Sequence, residues 1–289
     1  MKTYIDLHLH STASDGTLSP SEIVAHSASV IKKTSSPVVI ALTDHDTVSG
    51  IPSFLETAGK YGELLKAIGG VEISSDYHGT EIHILGYGID PKNEKLLSRL
   101  EMFRKSRDER NTRIIEKLQL AGMDISLSDL PCANPGETVA RPHIARALLK
   151  KNYVSSVKEA FELYLGEGKP CFVPRILPDV KEAVSLIQES GGIAVLAHLM
   201  LYKSLNAAQK SALVAELKEA GLTGIETYYS TYTPVEEAYV ESLAKKYGLI
   251  LTGGTDFHGQ TKPEISLFSG KGNLEIPDWI LPEFFEALK

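Results

Sequence analysis

The stretch DLHLHSTASDG, Asp6 to Gly16, places His8 and His10 one residue apart, with Asp15 five residues after the second histidine. The surrounding TYIDLHLH alternates and is rich in β-forming residues, which predicts a strand. Residues i and i+2 of a strand share a face, so His8 and His10 project together while Leu7 and Leu9 project the other way. Two imidazoles on one face, followed by a loop carboxylate, suit part of a metal site. They equally suit a barrel strand carrying two satisfied polar side chains.

The same residue types recur where strands are expected to end. His45 follows the apolar run of PVVIALTDHD, Glu72 ends the strand in GVEIS, and His83 lies on the next strand. His198 ends IAVLAHL, and Asp256 and His258 follow the last strand in LILTGGTDFHG. Six of the nine histidines fall at such places. In parallel α/β barrels the C-terminal strand ends meet at one mouth, where active sites are built. Taken singly, each histidine reads as an ordinary packed or surface residue. Taken together, the six histidines with Asp15, Glu72 and Asp256 form a set of N and O donors with no thiolate. That set exceeds one ion and suits two or three sharing a bridging carboxylate. Imidazole with carboxylate suits zinc, manganese, iron or nickel, which points to a multinuclear metal hydrolase.

Strand and helix signals alternate around these positions. SPSEIVAHSASVIKK opens with Ser19-Pro20 and Glu22, an N-cap signature. LLKAIGGVEISSDYHGTEIHILGYGID reads as two strands joined at 76–79. Near Pro91 the pattern becomes helical: a long charged helix over 93–121, then RPHIARALLKKNYV and SVKEAFELYLGEGKP. Helix–strand alternation returns from DVKEAVSLIQESGG to the end. Repeated βα units imply a parallel sheet or barrel. The expected organisation is an α/β barrel over 1–90 and 171–289, interrupted by a mostly helical insertion over 91–170.

With 289 residues the chain can bury a sizeable core. Its net charge of −7 argues against a broad footprint on duplex DNA. The two cysteines, Cys132 and Cys171, stand apart, which disfavours a disulfide scaffold and fits a reducing cytoplasm. No apolar run approaches the roughly 18 residues of a membrane span, so neither secretion nor a membrane partner is expected.

DLHLHSTASDGTLSP, ALTDHDTVSG, GVEIS, HILGYGID, VLAHL and GGTDFHG, in this order, resemble the metal motifs of the PHP (polymerase and histidinol phosphatase) superfamily. The resemblance implies a distorted (β/α)7 barrel with two or three divalent ions (manganese, zinc or iron) at its C-terminal mouth. By it, His8, His10, Glu72 and Asp256 hold one ion. Glu72 bridges to a second, held also by His83 and His198, and Asp15, His45 and His258 hold the third. Many relatives carry histidine where this chain has Asp15. The segment ARPHIARALLKKNYVSSVKEAFELYLGEGKPCFVPR is similar to one branch, the nucleoside 3′,5′-bisphosphate phosphatases and short-RNA 5′-exonucleases.

The implied activity is hydrolysis of a nucleotide phosphate ester: a nucleoside 3′,5′-bisphosphate, a nucleoside monophosphate or a 5′-phosphorylated short RNA. Three carboxylates against three divalent ions leave net positive charge, which suits phosphate bridging and attack by a metal-bound hydroxide without a protein nucleophile. Rival readings are a histidinol-phosphate or other small phosphomonoester phosphatase, and a non-catalytic metal-binding regulatory module. Arg141 is the first candidate for a substrate phosphate, because guanidinium binds it bidentately, with His143 and Arg175 behind it. Arg141-Pro142 also suits a plain helix start. The charged run from Arg99 to Arg113 reads as a solvated helix face, His26 and His78 as surface residues, and Asp44 or Asp46 as the carboxylate that orients an imidazole. Asp15→His is expected to fold and retain some activity with an altered metal preference, because imidazole is the softer ligand. Metal titrations checked against turnover test this; unchanged metals and rates would remove Asp15 from the ligand set.

Overall fold

The computed structural model describes residues 2–130 and 138–289; Cys132 lies outside them. Seven strands form one sheet in chain order. β1 (Tyr4–Leu9), β2 (Val38–Leu42) and β3 (Leu65–Tyr77) are parallel. β4 (Thr80–Tyr87) runs antiparallel to both β3 and β5 (Ile193–Leu196), and β6 (Gly224–Tyr229) and β7 (Ile250–Gly254) continue parallel to β5. Helices α1 (Pro20–Thr34) and α2 (Ile51–Ala58) follow β1 and β2. Between β4 and α6 (Val180–Glu189) come α3 (Glu94–Leu120), α4 (Arg141–Lys150) and α5 (Val157–Ala160), the last continued as a π turn to Leu165. α7 (Ala207–Glu219) and α8 (Pro234–Tyr247) follow β5 and β6, and α9 (Leu281–Ala287) comes last.

The parallel order of the βα units is interrupted at the junction of 76–79, where the sequence reads as two directly joined strands. His78 (φ 50°) and Gly79 (φ 85°) form a two-residue turn between β3 and β4, and strands joined that tightly pair antiparallel. The hairpin also extends β3 beyond Glu72, which therefore sits within the strand and not at its end. The chain leaving β2 continues to pair alongside: the Asp46 amide donates to the Glu72 carbonyl (2.9 Å), and the Glu72 amide to the Asp44 carbonyl (3.1 Å). That pairing brings His45 beside Glu72.

β1 and β7 close the barrel. The His10 amide donates to the Phe257 carbonyl at 3.0 Å. The buried Asp6 carboxylate accepts from the Thr255 amide (2.8 Å), the Thr255 hydroxyl (2.7 Å) and the Phe268 amide (3.0 Å). Burial pushes its carboxyl up to about 6 against the pull of these donors. Gly254 is required at the seam, since a Cβ there would lie 2.3 Å from that of His8. β1 and β2 are almost wholly buried, as strands covered on both faces must be.

α3 changes packing partner along its length. Leu96, Leu100 and Phe103 join the cluster between sheet and helices. Ile114, Ile115 and Leu118 instead build a second cluster with Ile144 and Leu148 of α4 and with Leu165. The change of partner falls between Phe103 and Ile114. The arginines of this helix are not all solvated, contrary to expectation: Arg107 and Arg110 are buried on the same helical stripe as Phe103 and Ile114. Arg107 Nε donates to Asp46 Oδ2 at 2.7 Å, Arg175 donates to the same oxygen at 3.2 Å, and Arg104 donates to the Asp46 carbonyl at 2.9 Å. Among the described residues, no helix is long and apolar enough to cross a membrane.

Asp46 is thus the tie between the barrel and α3. Burial alone would raise its carboxyl, but Arg107 and Arg175 hold it below the ordinary 3.8. Removing one member of a buried ion pair costs about 3–5 kcal/mol, and Asp46→Asn is expected to lose stability on that scale at neutral pH. Because the folded-state value is the lower one, the wild-type advantage is complete above the ordinary value and is lost as pH falls through the folded one. Denaturant unfolding at neutral pH and in strong acid checks this; a gap that persists in acid would assign the loss to something other than charge.

Candidate metal centre and active site

Glu72, fully buried, is the hub. Its Oε2 lies 2.9 Å from His45 Nδ1, 3.2 Å from His10 Nε2 and 3.4 Å from His8 Nε2. Its Oε1 lies 2.8 Å from His83 Nδ1 and 3.0 Å from His198 Nε2. Glu72 Oε2 and the three nitrogens facing it are close in distance yet make no hydrogen bond. Asp15 Oδ1 and His198 Nδ1 are also buried without a partner. Unpaired buried donors are costly, and donors that converge without bonding one another suit ions held between them. The donor chemistry fits divalent metals.

All nine expected donors fall into four groups whose atoms lie within 4.8 Å of one another: His10, Asp15, His45 and His258; His8, His10 and Asp256; His8, Glu72 and His198; His45, Glu72 and His83. Relative to the grouping implied by resemblance, His10 also faces the Asp15 set and His45 also faces Glu72.

Several imidazoles have their tautomer set from behind. His8 Nδ1 meets Glu226 Oε1 at 2.9 Å, and Glu226 Oε2 accepts the His198 amide at 2.8 Å. With both Glu226 oxygens accepting, His8 carries its proton on Nδ1 and presents a lone pair at Nε2. His258 Nδ1 donates to the Asp256 carbonyl at 2.8 Å, leaving Nε2 to face Asp15 Oδ1 at 3.2 Å. The carboxylate that orients an imidazole directly is therefore Glu226, not Asp44 or Asp46. Asp44 instead accepts from the Ser11 amide (2.7 Å), the Ser11 hydroxyl (2.6 Å) and the Ser14 hydroxyl (2.5 Å), which fixes the loop leading to Asp15. A charged residue inside the otherwise apolar GIETYY strand was the signal for Glu226.

Two donors sit on strained backbone. His198 (φ 29°) and Asp256 (φ 55°) occupy the left-handed region, which costs a non-glycine residue about 1–3 kcal/mol. Tyr229 and Lys262 both donate to Asp256 Oδ2 at 2.6 Å, which turns Oδ1 towards His10 (3.3 Å) and His8 (3.7 Å). Burial would raise the carboxyls of Asp15, Glu72 and Asp256, but the facing histidines, and Lys262 at Asp256, hold all three well below the carboxylate range. Burial pushes His45 down to about 4. The facing carboxylates overcome burial at His10 and His83 and raise both to about 9. Metal uptake at neutral pH must therefore expel protons and is favoured as pH rises.

The donors open into a cavity of about 350 Å³ whose wall includes Arg107, Arg141 and Lys262. Arg141 lies 3.5 Å from Glu81 Oε2, with its guanidinium 5.9 Å and 5.6 Å from the ring centres of Phe161 and Phe172. Arg175 is committed to Asp46 and to Glu81, 3.4 Å away. His143 Nδ1 accepts from the Ala140 amide at 2.9 Å, and burial pushes this ring down to about 4; it starts α4 as a neutral cap. Arg146, from the same RPHIAR run, donates to the Asp15 carbonyl at 3.1 Å and couples α4 to the metal loop. Lys262 had no signal in the sequence beyond standing near Asp256.

The sequence profile of the PHP domain matches residues 6–166. A 5′-3′ exoribonuclease of Haemophilus influenzae is 35% identical over 279 residues, spanning 96% of both chains. A 3′,5′-nucleoside bisphosphate phosphatase of Chromobacterium violaceum is 32% identical over 256 residues, covering 88% of this chain and 87% of that one. The solved structure of an amidohydrolase from Chromobacterium violaceum with bound sulfate aligns with a TM-score of 0.86 at 30% identity, over 99% of this chain and 96% of that one. The barrel, its donor set and these relatives define a metal-dependent phosphoesterase, a hydrolase acting on ester bonds. The chain belongs to the PHP family.

Glu226→Gln is expected to weaken metal binding by about 10- to 100-fold, since the amide cannot accept at both the His8 ring and the His198 amide. Metal retained against a competing chelator measures this. Wild-type affinity in the variant would show that His8 holds its orientation without Glu226.

Proposed function

We propose that this enzyme hydrolyses a phosphate ester of a nucleotide: a nucleoside 3′,5′-bisphosphate, a nucleoside monophosphate or a 5′-phosphorylated short RNA. The observation that carries the reading is a set of unpaired His, Asp and Glu donors under a cavity walled by Arg141 and Lys262. Two or three divalent ions, manganese, zinc or iron, are held by His8, His10, Asp15, His45, Glu72, His83, His198, Asp256 and His258. Such ions supply Lewis acidity and lower the pKa of water.

The protein's own groups position the ester. Lys262, anchored on Asp256, and Arg141 put fixed cations on the cavity wall, where charge-assisted hydrogen bonds hold phosphate oxygens. Hydrolysis breaks one P–O ester bond, with water adding its oxygen to phosphorus and its proton reaching the leaving alcohol. Arg175 supports the wall through Asp46, and His143 supports Arg141 by starting α4. We read residues 91–170 as the specificity-bearing insertion on a barrel of 1–90 and 171–289. The setting we infer is cytoplasmic, acting on small phosphorylated substrates and not on duplex DNA. The acidic net charge and the buried unpaired Cys171 support this setting.

Metal-loaded protein assayed on bisphosphates, monophosphates, histidinol phosphate, an aryl phosphate and 5′-phosphorylated RNA tests the substrate class. Preference for histidinol phosphate would overturn it, and no turnover at all would favour a non-catalytic module. Losing a hydrogen bond to a charged group costs about 1.5–3 kcal/mol, roughly 10- to 150-fold in kcat/KM. Arg141→Ala is expected to lose at least about tenfold on a bisphosphate and much less on an aryl phosphate. Equal loss on both would place Arg141 at the scissile phosphate or in the fold.

A further inference from the structure

Glu226 and the Asp256 carbonyl decide which nitrogen carries the proton at His8 and His258; behind His10 stands a hydroxyl. The His10 ring is fully buried and stacks on His258 at 4.1 Å between ring centres, so it cannot swing clear. Its Nε2 faces Glu72 Oε2 at 3.2 Å and Asp256 Oδ1 at 3.3 Å. Its Nδ1 faces Ser14 Oγ at 3.5 Å, with Asp15 Oδ1 further off at 3.9 Å. An imidazole can offer either nitrogen to an ion, and His10 stands in two of the donor groups, one with Asp15 and one with His8 and Asp256.

Ser14 and Asp44 remove that freedom. Ser14 is 1% exposed, and its hydroxyl donates to Asp44 Oδ1 at 2.5 Å. The Asp44 carboxylate takes donors at both oxygens, the Ser11 amide at Oδ1 and the Ser11 hydroxyl at Oδ2, so it acts only as an acceptor. The hydrogen of Ser14 is therefore committed to Asp44, and the hydroxyl turns a lone pair towards His10. Nδ1 has to be the protonated nitrogen, and Nε2 keeps its lone pair. The serine cannot drift from this position. The Ser14 and Gly16 amides both donate to the Ser11 carbonyl, at 3.1 and 3.0 Å. The loop turns so tightly under His10 that a Cβ on Gly16 would lie 2.2 Å from the His10 carbonyl oxygen.

We infer that Ser14 is a positioning residue for the metal centre, the middle of an Asp44–Ser14–His10 relay that commits His10 to bind through Nε2. The inference rests on the metal-centre reading above and deepens it. The relay does for His10 what Glu226 does for His8, with one hydroxyl interposed between carboxylate and ring. It also settles the double membership of His10. The nitrogen nearest Asp15 holds a proton, so His10 serves the ion beside His8, Glu72 and Asp256.

The test uses protein loaded with zinc, which is diamagnetic, and reads the His10 ring nitrogens by NMR of labelled histidine. In the wild type the expected pattern is zinc on Nε2 and a slowly exchanging proton on Nδ1. Zinc on Nδ1 would overturn the inference outright. Ser14→Ala removes the acceptor and leaves a side chain of nearly the same shape. The variant is expected to fold and to hold zinc about 10- to 100-fold more weakly against a competing chelator. Its zinc content is expected to return to the wild-type level at excess zinc, with the Nδ1 proton signal shifted or lost to exchange. Wild-type affinity in Ser14→Ala would overturn the relay. A variant that unfolds, or whose zinc content excess zinc does not restore, would make Ser14 a structural residue and overturn it too. Wild-type protein that takes up no zinc would refute the metal centre itself, whereas zinc bound at His10 Nδ1 would refute the relay alone.

Discussion

A single buried carboxylate faces five imidazoles: Glu72 has His8, His10, His45, His83 and His198 within 3.4 Å. A charge so placed is tolerable only if the opposing groups stay there, so the barrel has to deliver five side chains from three separate strand ends and one hairpin. Each fold feature that departs from a plain βα repeat serves that delivery. β3 overruns Glu72 into a hairpin, which puts His83 on an antiparallel strand beside Glu72 Oε1. The chain beyond β2 keeps pairing with β3, which holds His45 against Oε2. Closure of β1 on β7 through Asp6 and Gly254 brings His8 and His10 to Asp256.

Around this hub, polar groups are used to aim donors and not to satisfy one another. Glu226 sets the face of His8, the Asp256 carbonyl sets that of His258, and Tyr229 with Lys262 turns Asp256. The unpaired atoms cost free energy in the folded chain, and the strained backbone at His198 and Asp256 adds to it. A site that stores such cost binds divalent ions with less reorganisation. Stability lost here is offset in the large apolar clusters on both sides of the sheet.

The helices between β4 and α6 connect to the same centre through charge. Asp46, adjacent to His45, is gripped by Arg107 and Arg175, while Arg146 holds the carbonyl of Asp15. Movement of these helices is therefore felt at two donor positions. Arg141 lines both the cavity at the donors and a second one beyond it, and Arg110 lines the second.

What could be read from the chain alone was local. Alternation placed His8 and His10 on one face, the Ser19–Glu22 box started α1, and nine donors at strand ends announced a metal centre. Those features depend on neighbours in sequence, where periodicity and capping act. The turn from β3 into β4 was legible too, as two strands joined at 76–79; that β4 also pairs antiparallel with β5 was not, because β5 lies beyond the intervening helices. The inward arginines of α3 were legible in the spacing of Phe103, Arg107, Arg110 and Ile114, yet a charged side chain on an apolar stripe reads as surface until its partner is known. Asp46 and Arg107 are 61 residues apart, and Glu226 and His8 are 218 apart. Whether a carboxylate orients an imidazole, clamps an arginine or binds a metal depends on what faces it across such distances, and only the closed barrel decides that.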